Sequence, residues 1–257
     1  MTENKVELLV QKEEFASDKI WPEVQDHINY LSTVYTLCFA FSSITNNQTV
    51  TRNNPVFIAK IMILMRISDF IRSIQLLVSM AYPEQAATLT ASIFELAHTG
   101  ASFSYLEGTA EKWLTANSIE NRMPNLLGNN IKSWKDLIKN NVAHFGSDNY
   151  IYEYQVYEQL CWMKHSHPII QGLIFKDNYA KFQVGPYSDE NSIRYAWFSM
   201  NHAGRLASFF MFTLLKGYPD IYSHLNDVFD QVSTIGFTLD KKGKERFPEA
   251  SPFKTEM

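Results

Sequence analysis

The sequence predicts an all-α protein, an antiparallel helical bundle arranged around a long central hairpin. Two apolar runs of helical length carry that expectation: residues 55–81 (PVFIAKIMILMRISDFIRSIQLLVSMA) and 83–107 (PEQAATLTASIFELAHTGASFSYLE). They meet at Ala81-Tyr82-Pro83, where proline ends one helix and suits the first turn of the next. A third long apolar helix, 188–216, follows the capping sequence Ser188-Asp189-Glu190. Only residues 171–187 break the helical pattern: residues 174–175 and 180–184 flank KDNY, which reads as a small β-hairpin or irregular loop near 173–185, closed by Gly185-Pro186.

The remaining elements follow in order. Residues 5–15 read as a short helix or arm, and Ser17-Asp18 as the cap of a longer helix to about residue 45. That helix has Pro22 in its early turns and Tyr30, Leu31, Val34, Tyr35, Leu37, Cys38 and Phe41 on its apolar side. The polar stretch 45–54 (TNNQTVTRNN) is a loop, and Glu107-Gly108 closes the second hairpin helix. Short helices are expected over 110–116 and 133–143, and another over 150–165 stopped by Pro168. Residues 219–235 make a last short helix, and the charged segment from Asp240 reads as a loosely ordered tail. The expected organisation is one helical domain, 1–239, with 240–257 as the tail.

Composition narrows the class of function. Hydrophobic residues make up 46% of the 257, and aromatics 14%, which specifies a packed core rather than a disordered chain. A net charge of −4 gives no global attraction for nucleic acid, although it leaves room for a local basic patch. Two distant cysteines, Cys38 and Cys161, without a CxxC pattern, fit a reducing cytoplasm. The acidic N-terminus does not read as a secretory signal, and LASFFMFTLL at 206–215 is roughly half a membrane span.

Charge inside the hairpin marks the first candidate site. Asp69 lies about thirteen residues before the turn and Glu95 about thirteen after it, so folding back sets them at one level, with Arg66, Arg72 and His98 within a helical turn. Asp69 shares a face with Met62, Met65, Ser73, Leu76 and Met80, which reads as buried, and Glu95 shares one with small residues. Asp69, Arg72, Glu95 and His98 are therefore expected either as a structural ion-pair layer or as a polar ligand pocket, with arginine bridging the carboxylates. Glu95 and His98 also spell E-x-x-H, the spacing of carboxylate-bridged metal bundles. No second E-x-x-H occurs; the nearest substitutes are Glu23, Asp26 and His27, or Glu158 with His165. No metal site is assigned, and no cofactor is specified.

The second candidate is the helix ending in Lys164-His165-Ser166-His167-Pro168. Its cations suit a helix C-terminus, and His165 and His167 could equally serve as general base or phosphate contact. A Cys161–His165 dyad is possible at i, i+4, but an apolar stripe is a poor setting for a reactive thiol. The third is Arg194, Asn201 and Arg205, a polar stripe interleaved with Tyr195, Trp197 and Phe198, which reads as a solvated face, one wall of a pocket or an anion patch. GxSxG, P-loop, GxGxxG and HExxH signatures do not occur.

The run EQAATLTASIFELAHTGASFSYL, then EKWL, YEQLCWMKHSHP and VGPY, resembles a bacterial all-helical family of unknown function, over roughly residues 55–215. That family is similar in outline to the HEPN group of nucleotide- and RNA-associated helical domains, found in toxin and phage-defence settings. The resemblance implies an antiparallel bundle, often a homodimer, with functional positions at Glu95 and at His165 or His167. HEPN ribonucleases carry R-x(4–6)-H, a spacing that no histidine of this chain satisfies. The functions left open are nucleotide or RNA binding, a non-catalytic protein-interaction module, and a carboxylate/histidine metal enzyme.

Overall fold

The computed structural model describes residues 5–44, 54–116, 131–146, 149–165, 186 and 188–248. Among these there are helices and no strands. The long helices are α1 (Lys5–Ile44), α2 (Pro55–Ser79), α3 (Pro83–Ser102), α7 (Glu190–Gly217) and α8 (Asn226–Arg246). Between α3 and α7 lie α4 (Thr109–Thr115), α5 (Trp134–His144) and α6 (Tyr150–Lys164). A single turn, Pro219–Tyr222, and a 3-10 turn, Ser223–Leu225, join α7 to α8. The insertion expected near 173–185 lies outside the described residues.

α1 is one continuous helix of 40 residues through Pro22, not an arm followed by a second helix. The Ser17 hydroxyl, expected as a cap, instead donates to the Ser79 carbonyl at the end of α2 (2.6 Å). Proline removes one backbone bond from a helix interior, at roughly 3 kcal/mol. Ala16, Ile20 and Val24, buried on both sides of it, offset that loss through apolar contact. α2 begins as its sequence specifies, with Pro55 in the first turn and the Asn54 side chain accepting from the Phe57 amide (3.1 Å).

The hairpin turn is tight. Ala81 adopts the left-handed conformation (φ 63°), and the Tyr82 amide donates back to the Leu77 carbonyl (2.8 Å). α3 stops at Ser102, five residues before the expected end, because the Tyr105 and Leu106 amides both turn onto the Ser102 carbonyl. Gly108 (φ 72°) therefore leads into α4 rather than closing α3.

α7 is the central element: α1, α2, α3 and α8 all pack against it. Close approach is set by missing side chains. A methyl group on Gly100 of α3 would overlap the Phe210 ring of α7, and methyls on Gly204 of α7 and Gly236 of α8 would overlap the Tyr30 ring. Tyr30 of α1 is thus held between two glycines and is almost fully buried.

α8 carries the largest departure from the sequence reading. The helix runs to Arg246, so residues 240–246 are ordered on the body rather than part of a loose tail. Its charges hold it there: Lys242 pairs with Asp26 (3.1 Å), and Arg246 reaches both Glu23 of α1 and Glu190 of α7. Residues 249–257 lie outside the described residues.

One buried charge escaped the sequence reading. Lys60 of α2 is 1% exposed, and its ammonium donates to the Ser104 hydroxyl (2.6 Å) and to the Thr213 carbonyl and hydroxyl (3.3 Å each). It ties α2 to the turn after α3 and to the last turn of α7, where a cation suits the helix dipole. Burial lowers its pKa to about 8. A lysine whose folded pKa lies below its unfolded value destabilises the fold below about pH 8 and is relieved as pH rises toward 10.5. Lys60→Met is expected to remove this dependence. The wild type should gain up to about 3 kcal/mol relative to the variant between those limits, read from urea midpoints against pH.

Candidate functional site

The charged layer expected across the hairpin does not form. On α2 the buried face is Ile63, Leu64, Ile67, Ile71, Ile74 and Val78, which turns Asp69 and Arg72 to solvent together with Met62, Met65, Leu76 and Met80. Asp69 meets Arg66 at 4.0 Å with both side chains well exposed, and Arg72 meets the Gln75 carbonyl oxygen at 3.5 Å. Level along the hairpin was inferred from register, but facing depends on helix phase. On α2 the β-branched isoleucines, not the methionines, took the core.

Glu95 and His98 point elsewhere on α3. Glu95 is half-buried and accepts from Lys164 of α6 through both oxygens (2.9 Å each). His98 is buried, and its ring nitrogen Nδ1 lies 3.0 Å from Asn141 Nδ2 of α5, which also donates to the His98 carbonyl (2.8 Å). The Tyr105 hydroxyl donates to the same amide's oxygen (2.6 Å), and the ring stacks on Phe94 (4.3 Å). This is a locked structural histidine joining α3 to α5. Among the described residues no three His, Cys, Asp or Glu side chains stand together as a metal site.

His165 follows α6 as an exposed residue, its amide donating to the Cys161 carbonyl (2.9 Å). His167 lies outside the described residues. Burial raises the Cys161 thiol, whose neighbour is the Tyr157 hydroxyl, so the dyad with His165 has no activated sulfur.

The third sequence candidate lies beside two cavities. Arg194 and Asn201 of α7 line a cavity of about 290 Å³ between α6, α7 and α8. α6 contributes Tyr152 and Gln159, α7 also Trp197 and His202, and α8 contributes Asp240 and Lys244. Phe247, just beyond α8, meets the Trp197 ring edge-on at 5.6 Å. A second cavity of about 370 Å³, with Tyr30 and Arg205 in its lining, shares Asn201, His202 and Asp240 with the first. Arg205 is held by both oxygens of Glu153 on α6, so it braces α6 against α7.

The electrostatics of this wall are mixed. Burial first, then Arg205 and Lys244, push His202 well below its ordinary pKa, so it stands neutral beside two cations. Lys244 is paired with Asp240 (2.6 Å) and is raised by that bond. The buried amide oxygen of Asn201 has no hydrogen-bond partner among the described residues. A buried acceptor left unmade costs on the order of 1–3 kcal/mol.

The sequence reading named Arg194, Asn201 and Arg205; His202, Asp240 and Lys244, which it did not name, line the cavities with them. Part of the signal for the last two was present: Val232 and Leu239, seven apart and buried, carry a helical face past the expected helix end at 235 and up to Asp240. The fold is an all-helical bundle, with a cavity of aromatic and mixed-charge lining between α6, α7 and α8. Comparisons of the chain with protein-family models, with curated proteins and with solved structures found no match. No helix of the described residues is long and apolar enough to cross a membrane.

Three histidines are kept neutral by burial: His27 and His98 at about 4, and His202 lower than its ordinary value. Unfolding exposes them at their ordinary 6.5, so their contribution is intact above that pH and is lost as pH falls toward 4. The expected slope reaches up to about 4 kcal/mol per pH unit. His27 has no hydrogen-bond partner among the described residues and packs its ring on Trp197, tilted by 36° at 4.5 Å. His27→Phe should keep the ring contact and flatten the acid slope by about a third, measured by urea unfolding at several pH values.

Proposed function

We propose that this is a nucleotide- or RNA-binding helical protein of HEPN-like type, cytoplasmic and acting in a defence or toxin setting, with its ligand in the cavity between α6, α7 and α8. The observation that carries the binding role is the unpartnered, buried amide oxygen of Asn201 in a cavity lined by aromatic rings and by Arg194 and Lys244. A nucleobase supplies what each part lacks. Its flat face stacks on tyrosine and tryptophan rings, an exocyclic amino group donates to the Asn201 oxygen, and phosphate meets the two cations. The HEPN-like class and the defence setting are supported by the sequence resemblance.

Arg194 and His202 line the same cavity from one helix, eight residues apart, which is longer than R-x(4–6)-H. The role proposed is therefore binding, with the two residues as ligand contacts. A neutral His202 accepts or donates a hydrogen bond without adding charge. Arg194 and Lys244 supply the attraction for an anion.

Titration with adenine and guanine nucleotides and with a short single-stranded RNA tests the reading. Saturable binding is expected for at least one of these, weakened roughly 10- to 100-fold in Arg194→Ala and in Lys244→Ala, each the loss of one charge-assisted contact. Asn201→Leu is expected to weaken base-bearing ligands while leaving the response to inorganic phosphate unchanged. Absence of saturable binding to every nucleotide and to the RNA at millimolar concentration rejects it.

A second reading, a non-catalytic protein-interaction module, is favoured by one observation: the apolar side chains that α2 leaves in solvent.

A further inference from the structure

The solvent face of α2 has an internal symmetry. Its exposed residues Met62, Met65, Asp69, Arg72 and Leu76 follow spacings of three, four, three and four, the seam of a two-helix packing. Met62 is 50% exposed, Met65 56%, Leu76 48% and Met80 42%, an apolar stripe about 27 Å long on one helix. The stripe is palindromic about a point midway between Phe70 and Ile71. A second α2 laid antiparallel across that point sets Met65 opposite Leu76, Met62 beside Met80, and Asp69 opposite Arg72.

Charge decides what fits such a face. Asp69 and Arg72 interrupt the apolar stripe at its centre, and among the described residues their side chains have only a 4.0 Å contact to Arg66 and a 3.5 Å contact to the Gln75 side-chain oxygen. A generic apolar partner would leave both charges buried and poorly paired. A second copy of the same chain, related by a two-fold axis, presents an arginine to each aspartate and an aspartate to each arginine, as an isologous contact requires. On α1, which packs on α2 through the Gln75 bonds to Ile28 and Ser32, Tyr35 is 38% exposed and Phe39 67%.

From this we infer that the chain forms a two-fold dimer through α2, with reciprocal Asp69–Arg72 pairs at the axis flanked by Met65–Leu76 layers. The inference is independent of the cavity, which lies on α6, α7 and α8. A single helix stripe is small beside the ~1,600 Å² of a standard interface, so a dissociation constant on the order of 1–100 µM is expected.

Sedimentation velocity of the full chain across that range tests it. The wild type should pass from monomer to dimer. Asp69→Arg, which sets arginine against arginine, and Arg72→Asp, which sets aspartate against aspartate, should each weaken association at least tenfold. The combined Asp69→Arg/Arg72→Asp chain should recover it, which loss of folding could not mimic. Register is read separately: oxidising a mixture of Met65→Cys and Leu76→Cys chains should give the mixed disulfide dimer. Neither variant alone should cross-link through the new cysteine, because like positions lie about 16 Å apart along the seam. A wild type that stays monomeric throughout, a dimer indifferent to both charge reversals, or single variants that cross-link as well as the mixture would each overturn the proposal.

Discussion

α7 is buried along most of its length, and its closest approaches to α3 and α1 come where a glycine faces a ring. Gly100 admits Phe210, and Gly204 and Gly236 admit Tyr30 from opposite sides. Close packing of this kind gains many small dispersion contacts and tolerates no added methyl group. It also fixes three helices against one phenol, so α1, α7 and α8 cannot shift independently. The cavity is formed where this arrangement meets α6.

Two layers of electrostatics sit on that frame. Inside, Lys60 and the His98–Asn141–Tyr105 set join helix ends and neighbouring helices with hydrogen bonds. Outside, Glu95–Lys164 and Glu153–Arg205 fasten α6 to α3 and to α7 at half-buried positions. The interior groups specify which helices meet and at which level. The half-buried pairs add orientation to an element, α6, with few fully buried side chains of its own.

Much of this was legible in the sequence. The three long central helices, their Pro55, Pro83 and Asp189 starts, and the Ser133 cap of α5 follow from local rules, because cap chemistry acts within one turn. What failed was non-local. Ser17 read as a cap, with Pro22 in the first turns after it, because the hydroxyl's real partner is Ser79 on another helix and the proline is offset by buried neighbours. The segment after Asp240 read as a tail because its partners, Glu23, Asp26 and Glu190, are remote in sequence. In the candidate layer, Asp69 and Glu95 were placed at the same height, but a hairpin's register says nothing about rotation of either helix. Arg194 and Asn201 were found because both lie on one stripe of one helix. Lys244 was not, since its role depends on α8 docking.

The Arg246 fork and the Lys242–Asp26 pair have a consequence for access to the cavity. These bonds face water, while the wall they hold carries Lys244 and is followed by Phe247. Pairs in water weaken as the Debye length shortens, from about 10 Å at 0.1 M salt to about 3 Å at 1 M, whereas the glycine-and-ring contacts of the interior do not. The last turns of α8 are therefore the part of the wall whose hold is set by ionic strength. The rest of the bundle, held by apolar contacts, depends on salt less than this part of the cavity wall does.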